Sequence, residues 1–230
     1  MNKFVLGTAL AAGTIAGATT ASAATLDYTL GGYSSVSVSA NAPATGPSFT
    51  GTAAAFHMTD ATDALGLGNN FVAFCLDIVG TIQNNVEYVV NNVNPFQPGR
   101  ELSALQRSNV ENLFNASYGM VDADNNVDAA GFQLALWEAA YETDSGSLSL
   151  TSGTRVGSAA NVFVQAKANS FLASMGTWDG SSKYKVNFLD ADVSARQDLV
   201  MAAAVPIPAA GLMLLLGLGG IASLRRRKKS

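Results

Sequence analysis

Tyr33-Ser34-Ser35-Val36-Ser37-Val38-Ser39 alternates packing side chains with small polar ones, the two-residue period of a strand with one face in water. Residues 49–58, 70–81 and 86–93 predict further strands, and the turn-rich stretches 41–47 and 94–99 interrupt them. From residue 101 the period lengthens. Leu102, Leu105, Val110, Leu113 and Phe114 recur at helical spacing, and Asp128 predicts the N-cap of a second helix reaching about Glu142. Val156, Val162, Phe163, Ala166, Phe171 and Leu172 predict a third helix within 155–175, and residues 183–189 predict a closing strand. No stretch repeats another. These elements predict an α+β domain over residues 24–190, a β-rich barrel or sandwich with a helical subdomain inserted before the last strand. Residues 191–204 read as a linker.

Both ends of the chain have a different character. Lys3 precedes an uncharged run, and Ala21-Ser22-Ala23 supplies small residues where a signal peptidase cuts, so residues 1–23 read as a secretory signal peptide with cleavage before Ala24. Near the other end, no charge separates Asp198 from Arg225. A bilayer core needs roughly 20 apolar residues, which the run reaching Leu224 supplies if the residues before Pro208 contribute. The cluster Arg225, Arg226, Arg227, Lys228 and Lys229 then stays on the cytoplasmic side.

The order Val205-Pro206-Ile207-Pro208-Ala209, apolar span, basic end resembles the VPLPA/PEP-CTERM class of sorting signals, with Ile207 where the commonest form has Leu. The resemblance covers residues 205–230. It implies recognition by an exosortase-type membrane protease, cleavage near the proline motif, a single transmembrane helix used in transit through the inner membrane, and delivery to the outer surface or extracellular matrix of a Gram-negative bacterium. It is silent on what the ectodomain does.

Seven of the 13 Lys and Arg residues and all 17 Asp and Glu residues lie between Ala24 and Ala204, a net charge of −10. So acidic a surface argues against electrostatic binding of nucleic acid. A single cysteine excludes an internal disulfide framework and flags Cys75 as an intermolecular link, a reactive thiol or a small buried hydrophobe. Cys75 lies in Phe74-Cys75-Leu76-Asp77, and Gln133 lies in Phe132-Gln133-Leu134-Ala135-Leu136-Trp137, a glutamine inside an apolar helix. On the strand, Val72, Phe74, Leu76 and Ile78 share the apolar face expected to meet the sheet core, which turns Cys75 towards the inserted helices. On the helix, Glu138 and Glu142 mark the expected wet face, and Gln133 falls in the buried stripe. A buried amide without a partner costs about 1–3 kcal/mol. A hydrogen bond to backbone would satisfy Gln133. So would an internal thioester, in which Cys75 sulfur attacks the side-chain carbonyl and ammonia leaves.

Phe74-Cys75-Leu76 and Phe132-Gln133-x-x-Leu136-Trp137 resemble the two motifs of the thioester domains of bacterial surface adhesins, an aromatic-Cys-aliphatic segment and a downstream apolar-Gln-x-x-apolar-Trp segment. The resemblance implies that Cys75 and Gln133 carry the thioester, that Phe74 and Trp137 support it, and that the fold is β-rich with a helical subdomain. It also implies covalent capture of an amine-bearing ligand, such as a lysine ε-amine that displaces Cys75. The best-known adhesins of this type are Gram-positive and wall-anchored, whereas the sorting tail here is of the Gram-negative type.

Other signals are thinner. Asp122–Asp128 imitates the start of a calcium loop, but Val127 stands where glycine is wanted and Gln133 where a bidentate glutamate is wanted, so it reads as a solvated loop with no metal. His57, the only histidine, suggests a Cys75/His57 hydrolase pair, a distant reading. There is no phosphate-binding glycine loop and no zinc spacing, so no cofactor is expected and the protein reads as a non-enzyme. Two readings remain open: a covalent surface adhesin, and an extracellular matrix or biofilm structural protein of the same fold with no thioester chemistry.

Overall fold

The computed structural model describes residues 22–205 except 43, 45, 97–100, 147 and 194. The predicted signal peptide and sorting signal lie outside the described residues, apart from Ser22, Ala23 and Val205. Along the chain come β1 (Ala23–Ala40), β2 (Phe49–Thr59), β3 (Asn70–Cys75), β4 (Val86–Val90), α1 (Ala104–Ser117), α2 (Asn126–Tyr141), β5 (Arg155–Ala159), α3 (Val162–Met175), β6 (Tyr184–Ala191) and β7 (Leu199–Ala204). Every pairing between these strands is antiparallel, in the order β2-β3-β7-β6-β4-β1-β5. β1 also pairs with β2, so six strands close a ring and β5 lies alongside the far end of β1. The helices enter between β4 and β6. In outline this is the sheet-rich α+β arrangement that the residue pattern predicts.

Residues 191–204 differ from the linker expected of them. β6 runs to Ala191, and β7 sits between β3 and β6 with Leu199, Val200 and Met201 buried. The apolar run is short and follows Gln197 and Asp198, which are themselves buried, so the polar residues disguise a central strand. Residues 155–159 are likewise strand, not helix, because β1 still needs a partner at Val36–Ala40. The third helix begins only after Asn161, whose side chain accepts the Phe163 N–H. The second is capped by Asn125, not Asp128; Asn125 Oδ1 accepts from the N–H groups of Val127 and Asp128. β3 stops at Cys75, well short of residue 81.

A bulge fixes where α2 starts. Between Leu30 and Tyr33 the β1–β2 register shifts, and Gly31 and Gly32 occupy the irregularity. Gly32 N–H donates to Ala123 O at 2.7 Å, and Tyr33 N–H donates to Asn126 Oδ1 at 2.9 Å. A Cβ on Gly32 would lie 2.5 Å from the Asn125 carbonyl, and one on Gly31 2.6 Å from Ala123 O. Only glycine lets the loop before α2 rest directly on the strand.

From this seat α2 passes between the sheet, at β1 and β2, and the helices α1 and α3. Every residue from Ala129 to Ala140 is buried. A helix apolar on nearly all sides is a core helix and has no wet face. The expected exposure of Glu138 and Glu142 is therefore overturned: both are buried, and loop backbone satisfies them. Ser149 N–H donates to Glu138. The N–H groups of Thr143, Asp144, Thr154 and Arg155, with the Thr154 hydroxyl, donate to Glu142.

Gly32→Ala is expected to lower stability by about 1–3 kcal/mol, since the collision is with backbone that cannot swing aside. Denaturant unfolding measures this; Gly146→Ala, where an added Cβ meets nothing within 4 Å, is the control and should change little.

Candidate functional site

β3 brings Cys75 to a place where the sheet is incomplete. Successive strand residues direct their N–H and C=O to opposite edges. Leu76 N–H bonds Asp198 O on the β7 side, so the N–H and C=O of Cys75 face β2. β2, however, pairs with β3 only as far as Ala55 opposite Phe74, and then continues along β1 alone. The Cys75 peptide groups would be orphaned in the core. Gln133 of α2 fills the gap: Cys75 N–H donates to its Oε1 at 2.7 Å, and its Nε2 donates to Cys75 O at 2.8 Å. Gln133 is fully buried. Its carboxamide acts as one more peptide unit of the missing strand.

The two residues singled out by sequence are thus together. The carbonyl carbon of Gln133 is one bond from an oxygen that already touches the cysteine's own N–H. In any attack by Cys75 sulfur on that carbon, this N–H is placed to stabilise the oxygen as it gains charge. Burial pushes the thiol pKa well above its ordinary value, and the nearby Asp77 charge adds to the rise.

Phe74 lies on the side opposite to expectation. Its ring packs on Phe132 (centroids 4.8 Å apart), Phe114 (6.4 Å) and Tyr118 (6.3 Å), so the Phe74 face meets the helices. By alternation the Cys75 side chain turns to the other face, and Cys75 reaches α2 through its backbone. Two apolar faces of a strand look alike in sequence, and only the helix packing shows which is covered by what. Trp137, one turn after Gln133, is buried with its ring edge-on to Phe49 at 5.1 Å.

Beyond Cys75 the chain is held by a polar network that the sequence reading missed. Gln197 Nε2 donates to Asp77 O and, at 2.7 Å, to Asp77 Oδ1, which also accepts the Gly80 N–H. Asp198 Oδ1 accepts the Ala191 N–H, and Tyr88 O–H donates to Gln197 O at 3.0 Å. Burial raises the Tyr88 pKa, and the nearby carboxylates of Asp198 and Asp77 add to the rise. The signal available in sequence is the polar pair Gln197-Asp198 immediately before an apolar run. Asp77 also lines a cavity of about 410 Å³ with Val79, Phe96, Leu102 and Tyr141.

The remaining candidates stay apart. His57 lies opposite Val72, three residues before Cys75 on β3, and its Nε2 is 2.7 Å from Asp124 Oδ1. That pairing gives Cys75 no base and links β2 to the α2 loop. Asp128 pairs with Lys167 Nζ at 3.0 Å, and among the described residues no group of three or more His, Cys, Asp or Glu is placed to hold a metal ion. Val205 is exposed, and its N–H donates to Lys183 O. Pro206, Ile207, Pro208 and Ala209 of the sorting motif, and Arg225, Arg226, Arg227, Lys228 and Lys229 of the basic tail, lie outside the described residues. Among those described, no helix is long and apolar enough to cross a membrane.

No protein-family model matches this chain, and no curated protein matches it. Among solved structures it is similar to the N-terminal domain of the Streptococcus pyogenes pilus tip adhesin Cpa, at 13% identity and a TM-score of 0.39, over 74% of this chain and 94% of that one. It is also similar to the N-terminal thioester domain of a surface protein from Clostridium perfringens, at 14% identity and a TM-score of 0.39, over 75% of this chain and 100% of that one.

Gln133→Leu is expected to cost about 2–4 kcal/mol, because two backbone groups of Cys75 lose their partners in a dry site. Cys75→Ala keeps those bonds and removes one core atom, at about 1 kcal/mol. Paired denaturant titrations measure the difference. Burial raises the Glu138 pKa to about 8, with the Glu142 charge adding and the Ser149 N–H and Arg155 opposing. The folded state thus binds its proton more tightly than the unfolded chain. Its contribution is complete below the ordinary carboxylate range and is lost as pH rises through about 8. Stability profiles against pH should show this fall in the wild type and a flatter line in Glu138→Gln.

Proposed function

We infer that this is a secreted, exosortase-processed cell-surface protein whose Cys75 and Gln133 form an internal thioester for covalent attachment to amine-bearing surfaces or partners. The observation that carries the reading is the seating of the Gln133 carboxamide on Cys75, with its oxygen accepting the cysteine N–H. The order of signal peptide, proline motif, apolar span and basic tail supports the route through the inner membrane to the outer surface or matrix.

In thioester formation the Cys75 sulfur bonds to the Gln133 carbonyl carbon, and the carbon–nitrogen bond breaks. The thiol proton leaves with the nitrogen as ammonia. A primary amine then attacks the same carbon, the sulfur departs, and a proton from the amine restores the thiol. The product is an amide between Gln133 and the partner. Each molecule reacts once, so the protein is not an enzyme. Burial of the pair suits a store of acyl groups that must be kept from water.

A second reading is favoured by the same hydrogen bonds. Both halves of the Gln133 carboxamide are already satisfied by Cys75 backbone, and burial disfavours the thiolate. On that reading the amide is a structural clamp and the protein is an inert component of an extracellular matrix.

Intact mass of the purified protein beside Cys75→Ala separates the two. The adhesin reading expects the wild type, and not the variant, to be lighter than its sequence by one ammonia. It also expects methylamine to add its mass to Gln133 and free one alkylatable thiol. A wild type at its sequence mass, with Cys75 alkylated on unfolding, sinks the adhesin reading and leaves the clamp.

A further inference from the structure

We propose that Trp137 is a positioning residue for the acyl group, its indole N–H being the hydrogen-bond donor to the carbonyl oxygen of the Cys75–Gln133 thioester. The proposal rests on the thioester reading and goes beyond it by giving a role to an anomaly in the core. Trp137 is 2% exposed, and its Nε1–H has no hydrogen-bond partner among the described residues. A buried N–H left unpaired costs about 1–3 kcal/mol, so an unpaired donor of this kind calls for an explanation.

The surroundings narrow what its acceptor is. Trp137 follows Gln133 by four residues, so the two side chains are neighbours along one face of α2. Between Ala129 and Ala140 the helix carries only one other polar side chain, Glu138, which is rotated by about 100° and accepts from Ser149. The polar side chain of α2 that shares the indole's face is Gln133, one turn before it. In the amide state both ends of the Gln133 carboxamide are engaged with Cys75 backbone.

Thioester formation changes this balance. Loss of the nitrogen as ammonia removes the Nε2 donor and leaves the carbonyl oxygen, held by the Cys75 N–H through one lone pair, with a second lone pair to offer. That lone pair is a buried acceptor on a side chain one helical turn from a buried donor. A donor held in place before reaction also stabilises the oxygen as it gains charge under amine attack. Phe49 packs on the indole in a T-shaped contact and holds the ring in place.

The chain has two tryptophans, which makes the test direct. Trp178 Nε1–H already donates to Ser181 O at 3.1 Å and serves as an internal reference. In ¹⁵N–¹H spectra of the wild type, mass-verified to lack one ammonia, the Trp137 indole signal is expected well downfield of its position after methylamine treatment. The Trp178 signal should stay put. A Trp137 signal that is the same in both states overturns the proposal while leaving the thioester intact. A wild type that never loses ammonia overturns both.

Trp137→Phe gives a second readout. With the thioester formed and the melting temperature retained, its carbonyl stretch in the infrared should move to higher wavenumber, and methylamine should react on the order of a hundredfold more slowly. Unchanged stretch and rate would rule the donor out. If this variant does not fold, the wild-type spectra decide the question alone.

Discussion

The structure depends on one side chain completing a strand. Where β2 leaves β3 to follow β1, the peptide groups of Cys75 face a gap, and the Gln133 carboxamide supplies both the acceptor and the donor the gap requires. A carboxamide is the one side-chain group with the polarity of a peptide unit, so a glutamine in an otherwise apolar helix is a physical necessity there. The same pair of bonds joins the sheet to the helical layer at the only cysteine of the chain. The candidate thioester pair and the structural joint are the same two residues.

Holding that joint takes precision at both ends of α2. At the N-terminal end the Gly31-Gly32 bulge lets the loop rest on β1, and Asn125 caps the helix. At the C-terminal end, burial would raise the Glu142 pKa, but the bonds from Thr154, Asp144 and Arg155 outweigh it and keep the carboxyl below its ordinary value. Between them, Phe132 packs on Phe74, Phe114 and Phe171, fixing the rotation of the helix about its axis. A slip of one residue in any of these would carry Gln133 about 100° away from Cys75.

Much of this was legible in the chain. The two-residue period marks the early strands, and the helical period marks α1 and α2. The pairing of a lone thiol with an amide in an apolar run picks out Cys75 and Gln133. What periodicity leaves open is which apolar face meets which layer, hence the reversed placement of Phe74. Glu138 and Glu142 read as solvent-facing because their true partners are backbone N–H groups of the following loop, which no residue pattern displays. β7 was hidden because Gln197 and Asp198, polar residues that suggest a linker, are buried in hydrogen bonds to the segment after Cys75. The two glycines of β1 carry no signal of their role, because the loop they receive lies some ninety residues away in sequence.

The position of β7 has a mechanical consequence. It is the last described strand, and it is bonded along one edge to β3 and along the other to β6. Tension applied through the C-terminal tail therefore enters the domain through a strand laddered to β6 from end to end and to β3 over Leu199–Met201. Pulled along its length, such a strand must shear its ladders together, whereas an edge strand can be unzipped one bond at a time. Cys75 lies opposite Leu199, at the inner end of β7 and farthest from the tail. The site is shielded from load by the length of the strand that bears it.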